Sequence, residues 1–498
     1  MASPALDRAL WRLAVVVVLG TIMSILDTTI VNVAIETLGR DLNASLSSIQ
    51  WVATGYLLAL ATVIPLTGWA MERFGGKRAW MTSVALFLAG STLCGLAWNT
   101  TSLIAFRALQ GFGGGMIMPI GQAILAQAAG PERMGRVMSV IGVPTLLGPI
   151  LGPVIGGLIV DNASWRWIFF VNLPVGAVAL VLAARVLPGA DERSSQARLD
   201  MRGLLLLSPG LAALVYALSE VGIQGGFGSP RVLVAFVLGA VLLVLFTRHG
   251  LRGNGTLIDL RLFRDRAFAA ASGTVFIFGV SLFGAMLILP LYYQLVRGQS
   301  ALDAGLMLAP QGLGAAMAMP IAGRLTDTRG AGRIVPFGVV VAVAGTAVYT
   351  QLDSDTSFLV LAIALWVRGV GLGITMMPSM AAAYQTLSRA AVPRATTAIN
   401  IIRTIGGSFG TAVLSVVLER QIAANVPGAG GSPASLRGTA GGGAPPPQIA
   451  DPLAHAFGQT FWWAVALTAL ALIPAYFLPR RPPAPERAGA GKPAPAEA

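Results

Sequence analysis

The sequence predicts an all-α polytopic membrane protein, and three observations carry that expectation. Hydrophobic residues make up 55% of its 498 positions and charged ones only 11%, against about 25% charged in an ordinary soluble protein. Apolar runs of about 20 residues, long enough to cross ~30 Å of hydrocarbon, recur along the chain. A loop pattern is also duplicated: Gly68, Glu72, Gly75 and Arg78 are echoed at the same spacing by Gly323, Asp327, Gly330 and Arg333. Lipid offers no hydrogen-bond partner, so each run must satisfy its own backbone and forms a helix.

Taken in order, fourteen spans are expected, at about 13–35, 50–70, 79–98, 102–126, 137–160, 167–187, 203–221, 231–247, 268–295, 303–322, 334–352, 357–381, 396–418 and 457–478. The first run is too long for a cleaved signal and lacks a small-x-small site, so it reads as an uncleaved span. Lys and Arg concentrate in the loops on the side of the N-terminus, which is therefore cytoplasmic. An even number of spans returns the C-terminus to that side of a plasma membrane.

The duplicated loop divides the chain into an N-terminal six-helix half (1–190), two additional helices (191–250) and a C-terminal six-helix half (268–480). Between the last two lies a cytoplasmic linker, 251–267, whose Arg252, Arg261, Arg264 and Arg266 beside Asp259 and Asp265 suggest a helix lying in the membrane surface. Ala424 to Ala450, rich in Gly, Pro and Ala, reads as a flexible external loop, and 481–498 as a disordered cytoplasmic tail. Two pseudo-symmetric halves place a substrate site between them near the bilayer midplane.

Composition also excludes classes. The net charge of +13 comes from loops between spans, so it points to topology and not to nucleic acid. Cys94 is the single cysteine, and His249 and His455 sit in different loops, leaving no metal cluster, disulfide or Ser/His/Asp triad. No G-x-x-x-x-G-K-[ST] phosphate loop supports ATP-driven pumping. No cofactor and no enzyme activity are expected.

The charges inside the spans carry the functional reading. Asp27 sits in the middle of the first apolar run, where a carboxylate costs about 2.5–3.5 kcal/mol on insertion scales. Such a residue marks an ion or proton pathway. Arg107 lies in the fourth span at a depth from which a long guanidinium stem reaches toward Asp27. Competition between that cation and desolvation would make proton binding responsive to conformation. Arg368 is the counterpart of Arg107 in the second half, without an intramembrane carboxylate to meet. Arg403 falls near the cytoplasmic end of its span and is expected to snorkel.

The loop from Gly68 through Glu72, Arg73, Gly75 and Lys77 to Arg78 places an acid and cations at a helix junction. With Gly323, Asp327, Gly330 and Arg333 it reads as a pair of latches gating one end. Gly148, Gly152 and Gly156 recur every four residues beside Pro149, Pro153 and Gly157, a small-residue face on which the halves would rock. Substrate contacts are sought among Asn32, Trp51, Tyr56, Gln110, Phe276, Phe283, Tyr292, Gln294 and Trp366, whose aromatic faces and amides suit bulky, amphipathic or cationic compounds.

With these pieces in place, the chain resembles the major facilitator superfamily, and within it the fourteen-span drug:proton antiporters. The resemblance rests on Leu26-Asp27-Thr28-Thr29-Ile30-Val31-Asn32-Val33-Ala34, Arg107-Ala108-Leu109-Gln110-Gly111-Phe112-Gly113-Gly114, Gly148-Pro149-Ile150-Leu151-Gly152-Pro153-Val154-Ile155-Gly156-Gly157 and Trp165-Arg166-Trp167-Ile168-Phe169-Phe170-Val171-Asn172-Leu173-Pro174. It departs from the family pattern at Glu72, usually aspartate, and at Gly76, commonly basic. The resemblance implies a major facilitator fold and proton-coupled export of drug-like molecules, with Asp27 and Arg107 in the coupling. Its partners would be the small-molecule substrate, protons and the bilayer, and it would act as a monomer. The nearest alternative keeps the fold and exports a dedicated metabolite, such as an antibiotic or siderophore; a passive channel or a membrane enzyme has less support.

Overall fold

A computed structural model describes residues 7–189, 197–224, 226, 228–253, 256–426 and 447–480. Most of the Ala424–Ala450 segment and all of 481–498 lie outside the described residues. The first group of helices is α1 (Arg8–Asp41), α2 (Leu46–Val63), α3 (Leu66–Phe74), α4 (Gly76–Gly95), α5 (Thr100–Ala129), α6 (Met134–Asn162), α7 (Trp167–Phe170) and α8 (Asn172–Val186). A hairpin of α9 (Met201–Gln224) and α10 (Pro230–Arg252) follows. The second group is α11 (Arg266–Leu295), α12 (Ala301–Met307), α13 (Ala309–Arg329), α14 (Ala331–Ala347), α15 (Phe358–Tyr384), α16 (Val392–Asn425), α17 (Pro447–Leu470) and α18 (Leu472–Tyr476).

Among the described residues 11 helical runs are long and apolar enough to cross a membrane, and α2 with α3, bent by 56° at Pro65, makes up to 12. Proline has no N–H to continue the ladder, which is why the bend falls there. Two of the fourteen expected spans fall outside that set. Helix α4 opens with Lys77 and Arg78 and is diluted by Gly, Ser and Thr, and only Leu151–Asn162 of α6 counts as apolar. Both are helical, over 20 and 29 residues. The multi-pass membrane architecture stands on these helices.

The linker differs from expectation. Between α10 and α11 the described residues form one 3-10 turn, Leu260–Arg264, capped by the Asp259 side chain, and no amphipathic helix. Leu257 and Ile258 are buried in the protein instead of facing lipid. Asp200 fixes this stretch, accepting from His249 Nε2 (3.0 Å), Leu257 N (3.3 Å) and Gly203 N (2.8 Å).

The two groups repeat one packing scheme. In the first, α1 packs on α6, α2 on α5 and α4 on α5; in the second, α11 packs on α16, α13 on α15 and α14 on α15. Across the groups, α6 packs on α13 and α3 on α16. Helix α9 lies between α2 and α16, while α10 packs mainly on α9 and presents Leu233, Val234, Leu238 and Val241 outward, as a lipid-facing helix must.

The duplicated loops close one end of the molecule. Gly75 and Gly330 adopt near-identical left-handed conformations (φ 81° and 83°), a backbone open to glycine and strained for other residues. Each turns the chain sharply into the next helix. The acid of each loop then crosses to the other half. Glu72 makes a two-point contact with Arg394 at the start of α16, at 2.7 and 2.9 Å. Asp327 accepts from the Gly135 amide at the start of α6 (2.8 Å) and from Arg136 Nε (3.0 Å). Carboxylates at helix N-termini meet both unsatisfied amides and the positive end of the dipole. Beside the first latch, Thr67 Oγ1 and Thr397 Oγ1 are 2.7 Å apart across the halves. Lys77 donates to Ala184 O at the end of α8 (2.6 Å), whereas Arg73, Arg78 and Arg333 are exposed. At the same end Asp7 caps α1; the Leu10 amide and Arg133 hold its carboxyl below the usual range.

Apolar packing agrees with the latches. At this end one continuous buried set runs through both halves, including Leu13, Met71, Ile124, Val137, Met319, Met380, Val392 and Ile399. Toward the other end the sets separate, with Ile30, Val31, Trp165 and Phe169 in one half and Tyr292, Tyr349, Leu361 and Phe457 in the other.

Two outcomes follow for the latch end. In a Thr67→Cys/Thr397→Cys protein, mild oxidation should join the two halves, seen as one cross-linked peptide by mass spectrometry; no cross-link would contradict closure here. A Cβ on Gly323 would stand 2.6 Å from Gly135 O, so Gly323→Val should force α13 off α6. The overpacking penalty is about 1–3 kcal/mol, read as a fall in thermal stability.

Candidate functional site

Helix α1 turns Asp27 toward α5 and α8, where it is 0% exposed. Its Oδ2 accepts from Arg107 Nη1 at 2.6 Å. Its Oδ1 accepts from Gln110 Nε2 at 2.8 Å and from Asn172 Nδ2 at 3.1 Å. Arg107 and Gln110 are three residues apart on α5 and therefore share a face, and Arg107 Nη1 also donates to Gln110 Oε1 at 2.7 Å. The guanidinium is held further by Val52 O (3.2 Å) and by the Tyr56 ring, 4.1 Å from its centroid. Asn172, at the start of α8, also donates to Ser91 Oγ (3.1 Å), which in turn donates to Phe169 O (2.8 Å).

The arrangement suits a carboxylate. An ionised carboxyl only accepts hydrogen bonds, and each of these three partners only donates to it. A protonated carboxyl must find an acceptor for its O–H, so taking up a proton obliges a partner to turn away. Removing one partner of a buried ion pair costs about 3–5 kcal/mol because the other charge is left uncompensated. Asp27 thus joins α1 to α5 through Arg107 and Gln110 and to α8 through Asn172.

Between the halves lies a cavity of about 420 Å³. Two polar stripes face it at helical spacing: Thr21, Ser24, Thr28 and Thr29 from α1, and Asn400, Arg403, Thr404, Ser408 and Thr411 from α16. Apolar walls come from Leu57, Leu60, Met118, Leu282, Phe283, Met286 and Met376. Val215, Leu218 and Ser219 show that α9 is part of the wall. Asp27 is not among the lining residues. Ser24 lines the cavity and its Oγ is 3.4 Å from Tyr56 Oη, so Ser24 and Tyr56 stand between the cavity and the ion pair.

The structure distributes the expected substrate contacts widely. Phe283 lines the cavity. Tyr56 and Gln110 belong to the Asp27 cluster instead. Asn32 continues the α1 stripe a turn farther from the latches and is exposed. Trp51 stacks on Tyr216 of α9 at 5.9 Å, and Phe276 packs on Phe409 at 6.5 Å. Tyr292 is buried with its hydroxyl donating to Asp353 O (3.2 Å), Gln294 is half-buried near the end of α11, and Trp366 is exposed on α15. Of these aromatic side chains only Phe283 lines the cavity, and hydroxyls and amides at helical spacing are the better signal for it.

Two further placements depart from the sequence reading. Arg403 does not snorkel: it lines the cavity, with Nη2 3.3 Å from Met118 Sδ. The glycine face of α6 packs inside its own half, where Cβ atoms on Gly148, Gly152 and Gly156 would meet Ile25, Thr29 and Ile30 of α1. Gly157 faces open space, and the Pro149 side chain lies outside the described residues. The cross-half face of α6 carries Gly135, Ser139 and Gly142 instead, with Pro153 touching Gly305 of α12. In the second half Arg368 donates to Gln311 Oε1, and among the described residues no carboxylate pairs with it.

Comparison with known proteins places this geometry. The family model described as Major Facilitator Superfamily matches residues 17–411. The chain is 43% identical over 503 aligned residues to a multidrug resistance protein B homolog of Mycobacterium tuberculosis, covering 97% of this chain and 92% of that protein. It is 31% identical to the multidrug export protein EmrB of Escherichia coli, covering 80% and 78%. The solved structure of the proton:xylose symporter XylE superposes with a TM-score of 0.59 at 13% identity, covering 93% of this chain and 94% of that one. The duplicated latches, the paired packing scheme and these matches agree: the chain belongs to the major facilitator superfamily.

Proposed function

We propose that this protein is a proton-coupled secondary transporter that exports drug-like, largely apolar molecules by alternating access. The names of the relatives supply the drug export, and the buried Asp27–Arg107 pair beside a cavity between two halves is the observation that carries the coupling. In this reading residues 1–190 and 268–480 move as units, 191–250 seal the side of the cavity, and 251–267 tie α10 to the second half. In this reading the protein lies in the plasma membrane, and the positive residues at the latch end support a cytoplasmic position for that end and for both termini. The conformation described is then shut toward the cytoplasm. The transporter acts as a monomer in the bilayer and needs no cofactor.

Substrate and proton alternate through shared helices. Entry of a proton at Asp27 breaks its set of three donors and frees α5 and α8 to shift against α1. Helix α1 also carries the stripe facing the cavity, so the same shift changes the fit of the substrate. Opening the cytoplasmic side requires release of Glu72 from Arg394 and Asp327 from Arg136. One proton falling through 100 mV supplies about 2.3 kcal/mol. At about 1.4 kcal/mol per tenfold, that sustains a gradient of about fortyfold for a neutral substrate exchanged one for one.

Two outcomes test this. In proteoliposomes, Asp27→Asn should lower pH-gradient-driven transport at least tenfold while substrate counterflow continues; full gradient-driven transport in the variant removes Asp27 from coupling. Arg394→Gln breaks a partly exposed ion pair worth about 1 kcal/mol, which is about a fivefold shift of a two-state equilibrium. Reagents applied from the cytoplasmic side should label a Ser408→Cys reporter about fivefold faster in that variant, and equal rates would exclude the latch as a determinant of state.

A further inference from the structure

The walls of the cavity carry one charge among the described lining residues, and it is positive. Arg403 reaches in from α16, eleven residues from the start of that helix at Val392, or about 16 Å into the span. Its one hydrogen bond among the described residues is to the thioether of Met118, a weak acceptor. No carboxylate lines the cavity, and none lies within ion-pair distance of Arg403 among the described residues. Asp27 is paired with its own arginine and is not among the lining residues. Thr404 and Thr411 turn their hydroxyl protons to Asn400 O (2.9 Å) and Gly407 O (3.0 Å), and the neutral Asn400 Oδ1 is buried without a hydrogen-bond partner.

A guanidinium in such a place has five donors, and the acceptors lining the cavity around it are all neutral. An anionic head group is the complement it lacks, while a cationic one would be repelled at short range in a poorly screened site. The apolar remainder of the cavity, built from Leu57, Leu60, Leu282, Phe283, Met286 and Met376, suits an aromatic or aliphatic body. We propose that the cavity selects amphipathic organic anions, with a carboxylate or sulfonate on Arg403 and an apolar body against the leucine, methionine and Phe283 walls. This rests on the cavity being the substrate site of the transporter proposed above, and it replaces the cationic compounds expected from aromatic content.

The test uses binding to the purified full-length protein, so it stands apart from transport and from proton coupling. Three probes share one pyrene body: 4-(1-pyrenyl)butanoate, its primary amide and the matching trimethylammonium compound. The parent should bind the carboxylate at least tenfold more tightly than the amide, and the ammonium most weakly. In Arg403→Gln the carboxylate-to-amide ratio, taken within one protein, should fall to about one, and Arg403→Lys should keep part of it. An ammonium bound as tightly as the carboxylate by the parent overturns the proposal without any variant, as does a ratio unchanged in Arg403→Gln. Transport of the neutral amide under a pH gradient is measured separately. Its absence would count against the transport reading, while the head-group ranking would still decide the anion preference.

Discussion

The interaction on which the structure depends is the buried pair of Asp27 and Arg107, with Gln110 and Asn172 completing the carboxylate's partners. It ties α1, α5 and α8 together where lipid surrounds the half and water is excluded. Every group facing Asp27 donates, so its charge is built into the packing of three helices. In the proposed mechanism that is how one proton becomes a mechanical variable. A carboxyl that keeps its proton cannot keep all three donors, and helices that lose a donor lose a reason to stay where they are.

The two halves share a scaffold but not this chemistry. Their packing pairs and both latches repeat, down to the conformations of Gly75 and Gly330. The intramembrane charge does not repeat, since Arg368 meets the neutral Gln311 where Arg107 meets an acid. The first half is thereby equipped for the proposed proton, and the second half contributes Arg403 to the cavity. Only the latches, which bind each half to the other, use the symmetry directly.

How much was legible follows from what a sequence encodes along one helix and what it leaves to neighbours. Hydropathy revealed the spans because lipid imposes length and apolarity on each helix separately. Depth along α1 and α5 was enough to bring Asp27 within reach of Arg107. Asn172 stands in the Trp165–Pro174 motif, yet its contact with Asp27 depends on how α8 docks, which spacing does not specify. The stripe Asn400, Arg403, Thr404, Ser408 and Thr411 has the helical period and could have revealed the cavity face; attention to the depth of Arg403 alone led to snorkelling. The α6 glycines show the opposite error, because small residues announce close packing without naming the partner, which proved to be α1. Helix α9 is legible as the span at 203–221 but not as a cavity wall, since an apolar face turned to a cavity and one turned to lipid look alike in sequence.

The central claim is that substrate in the cavity and the proton on Asp27 act on each other through α1. Proton release on substrate binding tests it most directly, with the purified protein in weak buffer and a pH indicator. The account predicts that binding releases protons from the parent and none from Asp27→Asn, at equal substrate occupancy. Equal release from both proteins would contradict it.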